Sequence, residues 1–182
     1  MEQKKLPNIL ITGTPGVGKT SFSMLLTDKL NELLHQNSNL QFTNVNIGKL
    51  ITEKKLYKDW NKEFDVPEFD DDMVCDELEP LINNGGVILD FHSSAFLPED
   101  WVDLVVLLRC DNTVLYDRLH ERGYNENKIK ENIECEIMEV TAEEVREAFD
   151  EKKILELKSE KIDDMSNNID VVVNKINSIG LI

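Results

Sequence analysis

The sequence predicts an α/β fold, a parallel sheet wound on both faces by helices. Three observations predict it. Short apolar runs alternate with stretches of helical period along the chain, and strands separated by helical crossovers pair in parallel. The first apolar run, Asn8-Ile9-Leu10-Ile11, leads into Gly13-Thr14-Pro15-Gly16-Val17-Gly18-Lys19-Thr20 and then into an amphipathic stretch from Ser21 to about His35. A glycine, four residues and Gly-Lys-Thr between a strand and a helix form the P-loop pattern. The length, 182 residues, fits a single domain of this class with one well-buried core, and no repeat or linker divides it.

Taken in order, Leu6 to Thr12 is expected as a buried first strand, apolar almost throughout as strands covered on both faces are. The first helix begins at Lys19, with Phe22, Leu25, Leu26, Leu30, Leu33 and Leu34 on its apolar face, and ends in the polar loop His35–Asn39. Gln41 to Asn46 alternates and predicts a second strand. Ile47 to Lys55 is expected as a short helix, and Leu56 to Phe69 as a mixed aromatic and charged loop. Asp70-Asp71-Asp72 places acids at the positive end of a helix that runs to about Asn83, with Pro80 expected to kink it or end it early. Asn83-Asn84-Gly85-Gly86 is a turn. Val87 to Asp90 and Leu104 to Leu108 predict the third and fourth strands. Asp111 caps a helix to Arg122, which Gly123 terminates. Asn125 to about Lys152 is expected as one long charged helix with Ile129, Ile133, Ile137, Val140, Val145 and Phe149 facing inward. Ile154 to Leu157 predicts a short fifth strand, and Asn168 to Ile179 a closing amphipathic helix.

The composition, 41% hydrophobic and 31% charged, is that of a soluble globular protein. A net charge of −16 argues against nucleic-acid binding through the overall field and fits a basic protein partner, or simple solubility. The charged start, Met1 to Lys5, does not resemble a signal peptide, and no window approaches the roughly 18 apolar residues of a membrane span. Cys75, Cys110 and Cys135 are isolated and lack ligand spacing, as reduced thiols of an intracellular protein would.

The P-loop residues suit a triphosphate. Small residues let the backbone curl so that successive N–H groups point inward at a helix N-terminus, making an anion nest. Lys19 adds a positive charge for the terminal phosphates, and the Thr20 hydroxyl can ligate Mg²⁺. In a doubly wound sheet ligands bind beyond the carboxyl ends of the strands. That rule selects Asn46, Asp90, His92 and Arg109 besides the loop itself. Asp90, ending Val-Ile-Leu-Asp, has the form of a Walker B acid, placed to hold Mg²⁺ directly or through water. His92 falls on the same side as Asp90. It either orients an attacking water or hydroxyl as a neutral imidazole or is a loop histidine satisfied by a backbone carbonyl. Arg118 and Arg122 share a helix face. With Arg109 they would gather three guanidinium groups at the transferring phosphate, surface ion pairing with the 36 acids being the alternative. Gly123-Tyr124-Asn125 allows only a small lid. The guanine-reading Asn-Lys-x-Asp motif is absent from the sequence, which disfavours a GTPase switch. His35 and His120 read as ordinary surface positions.

Pro7 to Thr20, Gly85 to His92 and Arg118 to Glu126 together closely resemble the adenylate kinase isoenzyme 6 family, also called coilin-interacting nuclear ATPase. Asn46-x-Gly48, Asn132 to Ile137 and Asn167 to Asp170 extend the resemblance over essentially the whole chain, apart from the loop between the first helix and second strand. The resemblance implies a P-loop NTPase of nucleoside monophosphate kinase type, with a five-stranded parallel sheet flanked by helices. It implies phosphorylation of AMP by ATP with Mg²⁺, ATPase activity, and a role in small-subunit rRNA maturation. The implied partners are a basic small-subunit ribosomal protein and the pre-ribosome, met in nucleus and cytoplasm by a monomer. By position it implies ATP contacts from Gly16, Gly18, Lys19, Thr20, Ser21 and the lid residue Arg122, with Lys161 by the base. Asn46, Gly48 and Arg109 would serve the substrate, in a monophosphate region of about 46–69 under a lid of about 121–131. One departure stands out. Thr52, with Lys49, Lys54 and Lys55 nearby, occupies a place where the family can carry an arginine. Lysine lacks the bidentate fork, so weak AMP affinity and prominent ATPase action are expected.

Overall fold

The computed structural model describes residues 5–34, 40–62 and 66–178. Strand β1 (Ile9–Thr12) is buried at all four positions and feeds the P-loop into helix α1 (Lys19–Leu34). The loop His35–Asn39, including His35, lies outside the described residues, as does Ile179. Strand β2 (Thr43–Asn46) starts later than the alternation predicts. The backbone of Phe42 is taken by a side chain instead: its N–H donates to Asn31 Oδ1 at 2.7 Å, and Asn31 Nδ2 donates to its carbonyl at 3.0 Å. Helix α2 (Ile47–Lys54) follows directly, capped by the Asn46 side chain, which accepts from Lys49 N at 2.8 Å.

The segment expected as a loop is an antiparallel hairpin of β3 (Tyr57–Asn61) and β4 (Val66–Phe69). A register shift between Tyr57 and Asp59 breaks the alternation by which a strand is recognised, as a bulge does. The Phe69 ring anchors the hairpin edge-on against Phe91 and Phe96, each at a 5.4 Å centroid distance. Helix α3 (Asp71–Asn84) runs through Pro80 without ending there. Asp76, whose carbonyl the ring displaces, and Pro80 itself both face solvent, so water can take the freed carbonyl.

Strands β5 (Val87–Asp90) and β6 (Leu104–Arg109) precede helix α4 (Asn112–Glu121), whose first turn donates to the Asp111 cap through Thr113 N at 2.9 Å. The long helix expected next is two helices, α5 (Glu126–Ile137) and α6 (Val140–Ala148), broken at Glu139 with a left-handed φ of 55°. The break has a packing cause. Ile129 and Ile133 of α5 join the core on one face of the sheet, whereas Ala142, Val145 and Phe149 join the core on the other. A straight helix could not reach both, and Ile137 and Val140 at the corner are exposed rather than inward. Strand β7 (Ile154–Lys158) and helix α7 (Ile162–Ser178) complete the chain, α7 beginning before Asn168 because Asp164 accepts from Glu160 N and Lys161 N.

The five-stranded sheet has the order β2-β5-β1-β6-β7, with every pairing parallel. Successive strand residues alternate between its two faces. Ile9, Ile11, Val106 and Leu108 pack against α1, α4, α5 and α7, while Leu10, Leu89, Val105 and Leu107 pack against α2, α3 and α6. Asn46, Asp90, the P-loop and Arg109 therefore emerge together at the carboxyl edge.

Candidate phosphate-transfer site

The P-loop is shaped by contacts that leave no room for side chains. A Cβ on Gly13, at φ +144°, would lie 2.4 Å from the Leu108 carbonyl oxygen of the neighbouring strand. One on Gly16, at φ +102°, would lie 2.7 Å from Leu115 Cδ1. The loop is pinned from outside by Ser159 Oγ, which donates to the Val17 carbonyl at 2.7 Å. Lys19 folds back across it, donating from Nζ to Gly13 O at 2.7 Å and to Thr14 O at 3.1 Å. Burial, then the Arg122 guanidinium, pull the Lys19 pKa down to about 8 against the opposing pull of Asp90. The ammonium therefore prevails at neutral pH, in want of an anion.

Parallel register places Asn46 and Ile11 beside Asp90 on its two flanking strands. Asp90, only 2% exposed, accepts on Oδ2 from Thr20 Oγ1 and from Asn46 Nδ2, each at 2.6 Å. Thr20, in the first turn of α1, and Asp90 thus present a hydroxyl and a carboxylate oxygen side by side, hard donors of the kind Mg²⁺ takes. His92 extends from β5 into the same space, its ring 4.4 Å from that of Phe91. Desolvation by the surrounding protein, then the Lys19 ammonium, press its pKa down to about 4 against the opposing pull of Glu144. The residue is exposed on the cavity, where solvent offsets part of the desolvation, but desolvation and the Lys19 charge both favour neutral imidazole.

These groups line a cavity of about 350 Å³. One end is the phosphate loop, contributing Gly16, Gly18, Lys19, Thr20 and Ser21. The other is walled by Ile51, Val66, Pro67, Phe69 and Phe91, with Gly48 and Thr52 at its side. Asn46, Asp90, His92 and Arg122 also line the cavity.

The expected cluster of three guanidinium groups does not form. Arg122 lines the cavity, but Arg118 donates to the carbonyls of Ser159 and Glu160 at 2.8 and 3.0 Å and braces the segment that pins the P-loop. Arg109 lies in a separate acidic pocket, where Glu136, Glu139 and Glu156 lie within ion-pair distance of its guanidinium. Among the 36 acids it found partners, and a paired guanidinium is not on offer to a substrate phosphate. Lys161 stands at the entry to α7, its N–H donating to Asp164 Oδ2 at 2.8 Å, outside the cavity lining. The three cysteines are free thiols, and burial pushes Cys110 up to about 11.

Sequence reasoning missed two carboxylates and the apolar wall. Glu144 of α6 holds the loop beyond His92, accepting from Ser93 Oγ at 3.1 Å, Ala95 N at 2.8 Å and Ser94 N. Glu136 of α5 holds Thr14 of the P-loop at 2.5 Å. Neither glutamate carries a local signal in so acidic a chain. The wall is assembled from α2, the bulged hairpin and the residue after β5, which only the fold brings together.

Known proteins resemble this chain in sequence and in fold. A family model described as an AAA domain covers residues 9–139. An adenylate kinase isoenzyme 6 homolog of Schizosaccharomyces pombe is 41% identical over 168 residues, covering 92% of this chain and 90% of its own. Those of Dictyostelium discoideum and Candida albicans are 40% and 39% identical, covering 91% and 93% of this chain and 89% and 68% of their own. Among solved structures, shikimate kinase from Acinetobacter baumannii in complex with shikimate superposes with a TM-score of 0.65 at 16% identity, over 98% of this chain and 97% of its own. A gluconokinase from Sinorhizobium meliloti does so at 0.55 and 13%, over 98% and 99%. At such identities the likeness is one of fold, that of the P-loop kinases. The relatives carry the identification further: the chain belongs to the adenylate kinase isoenzyme 6 family of nucleotide kinases.

Proposed function

We propose that this chain transfers the γ-phosphoryl group of ATP to AMP, giving two ADP, and hydrolyses ATP to ADP and phosphate when water takes the acceptor's place. One observation carries this reading: a single cavity is lined by the P-loop and by the apolar residues of α2 and the hairpin, with Asp90, His92 and Arg122 on the same lining. The P-loop N–H groups and Lys19 would hold the polyphosphate, and the apolar wall suits the flat face of a base. Thr20 and Asp90 fit Mg²⁺, because that ion keeps several waters and takes its remaining oxygens from one or two protein groups and the phosphates. Among the described residues no group of three or more His, Cys, Asp and Glu could hold a metal by itself. When bound, the ion neutralises charge on the phosphate oxygens. In transfer, a bond forms between the acceptor oxygen and the γ-phosphorus while the bond to the β–γ bridging oxygen breaks. Arg122 stabilises the charge spread over the γ-oxygens. Neutral His92 orients the attacking water in hydrolysis and takes up its proton.

A second reading, an assembly ATPase that binds and releases a ribosomal protein, is favoured by what the chamber lacks. Arg122 is the one arginine among the described residues that lines the cavity, and Thr52, whose hydroxyl donates to Gly48 O at 3.0 Å, stands where the family can carry an arginine. The net charge of −16 suits a basic small-subunit ribosomal protein on the pre-ribosome, met by a monomer in nucleus and cytoplasm. Among the described residues no helix is long and apolar enough to cross a membrane. The two readings separate by measuring ADP formation from ATP and AMP beside phosphate release from ATP alone. Phosphate release comparable to or faster than AMP phosphorylation supports the assembly ATPase. AMP phosphorylation far in excess of hydrolysis contradicts it. A pull-down with a basic small-subunit ribosomal protein, with and without ATP, completes the comparison.

A further inference from the structure

Among the described residues two carboxylates are buried, Asp90 and Glu136. A buried charge is costly unless its lone pairs are occupied. Asp90 is accounted for by the cavity it faces, and Glu136 is not. At 4% exposure Glu136 accepts from Thr14 Oγ1 at 2.5 Å, from Arg109 Nε at 2.7 Å and from Cys110 N at 3.2 Å, while its own carbonyl accepts from Arg109 Nη2 at 3.3 Å. One side chain thus ties together the P-loop, the end of β6 and the last turn of α5. Thr14 itself is fully buried and turned both ways. Its hydroxyl points to Glu136, and its carbonyl, with that of Gly13, receives the Lys19 ammonium. Helix α5 begins just beyond Arg122 and the turn Gly123-Tyr124-Asn125, so the arm that carries the lid also holds the loop that cradles phosphate.

We propose that Glu136 is a positioning residue, which fixes Thr14 and with it the conformation of the phosphate loop and Lys19. The seating of α5 and the binding of triphosphate are then one linked equilibrium. Each must favour the other by the same factor, since coupling between two equilibria is reciprocal. The role rests on the reading above that the loop holds ATP, and it adds a path from the lid arm to the loop that passes through no cavity residue.

The test is calorimetric titration of ATP with Mg²⁺ into the full chain and its Thr14→Val, Thr14→Ser, Glu136→Gln and doubly substituted variants, each first checked for a cooperative melt. Loss of the buried hydrogen bond in Thr14→Val, and of the negative charge that accepts it in Glu136→Gln, should each weaken ATP binding by about ten-fold. The double variant should be no weaker than the worse single one, and Thr14→Ser, which keeps the hydroxyl, should bind like the parent. Amide exchange supplies a readout that a merely structural contact would not move: ATP should slow exchange at the end of α5 in the parent and not in Thr14→Val. Should Glu136→Gln fail to fold, Thr14→Val and Thr14→Ser decide alone. Unchanged ATP affinity in Thr14→Val, or losses that simply add, would overturn the positioning role and leave the function standing. A parent protein that binds no ATP would overturn the function itself.

Discussion

Asp90 accepts from both Thr20 and Asn46 at 2.6 Å, which makes the end of β5 the meeting point of three segments distant in sequence. Beside it, His92 stands over the cavity as a neutral ring, with the Lys19 ammonium opposing its protonation. A neutral imidazole has a free nitrogen to orient a water, whereas its conjugate acid has none. His92→Ala should therefore slow ATP hydrolysis by about a hundred-fold, the span of a general base, while ATP affinity stays at the parent value. Steady-state phosphate release beside equilibrium ATP binding checks this. Loss of ATP binding in that variant would assign His92 to the cradle instead. At this scale much of the site was readable. Gly16, Gly18, Lys19 and Thr20 belong to a local motif and Asp90 to an apolar run ending in an acid, whereas Ser21 enters only through the family resemblance. Arg109 and Arg118 were misplaced for a physical reason: a guanidinium goes to whatever acceptors the fold presents, here Glu136, Glu139 and Glu156 for one and two backbone carbonyls for the other.

Helices and strands with one dominant periodicity, such as α1 and the buried β1, could be read from the chain because burial on one or both faces writes itself into local sequence. Elements decided by distant contacts could not. The hairpin of β3 and β4 hides its alternation behind a bulge, and the break between α5 and α6 exists because the two helices feed opposite faces of the sheet. That break gives α6 a task. From the far side of the corner, Glu144 accepts from two backbone N–H groups and two hydroxyls of residues 93–95 and so holds the loop that follows His92. Glu144→Ala should loosen that loop, lowering kcat for hydrolysis by about ten-fold with the KM for ATP unchanged, because the phosphate cradle lies elsewhere. Measuring both constants at one pH distinguishes the outcomes. A raised KM with intact kcat would mean that Glu144 serves binding rather than His92.

Across the molecule as a whole, the carboxyl edge of the parallel sheet gathers the P-loop, the Thr20–Asp90 oxygen pair, His92 and Arg122 around one cavity. Two carboxylates from the α5–α6 arm, Glu136 and Glu144, grip the two sides of that cavity from behind. On the coupling proposed above, triphosphate binding at the loop and the seating of α5 favour one another. In the function proposed here, the γ-phosphoryl group of ATP leaves from the P-loop for an acceptor in the adjoining chamber. Following ATP labelled at the γ-phosphate tests it most directly. The label should pass into ADP when AMP is present and into free phosphate when it is not, and Lys19→Ala should abolish both. Label that stays on ATP in the parent protein, or that leaves as fast from Lys19→Ala, would contradict it.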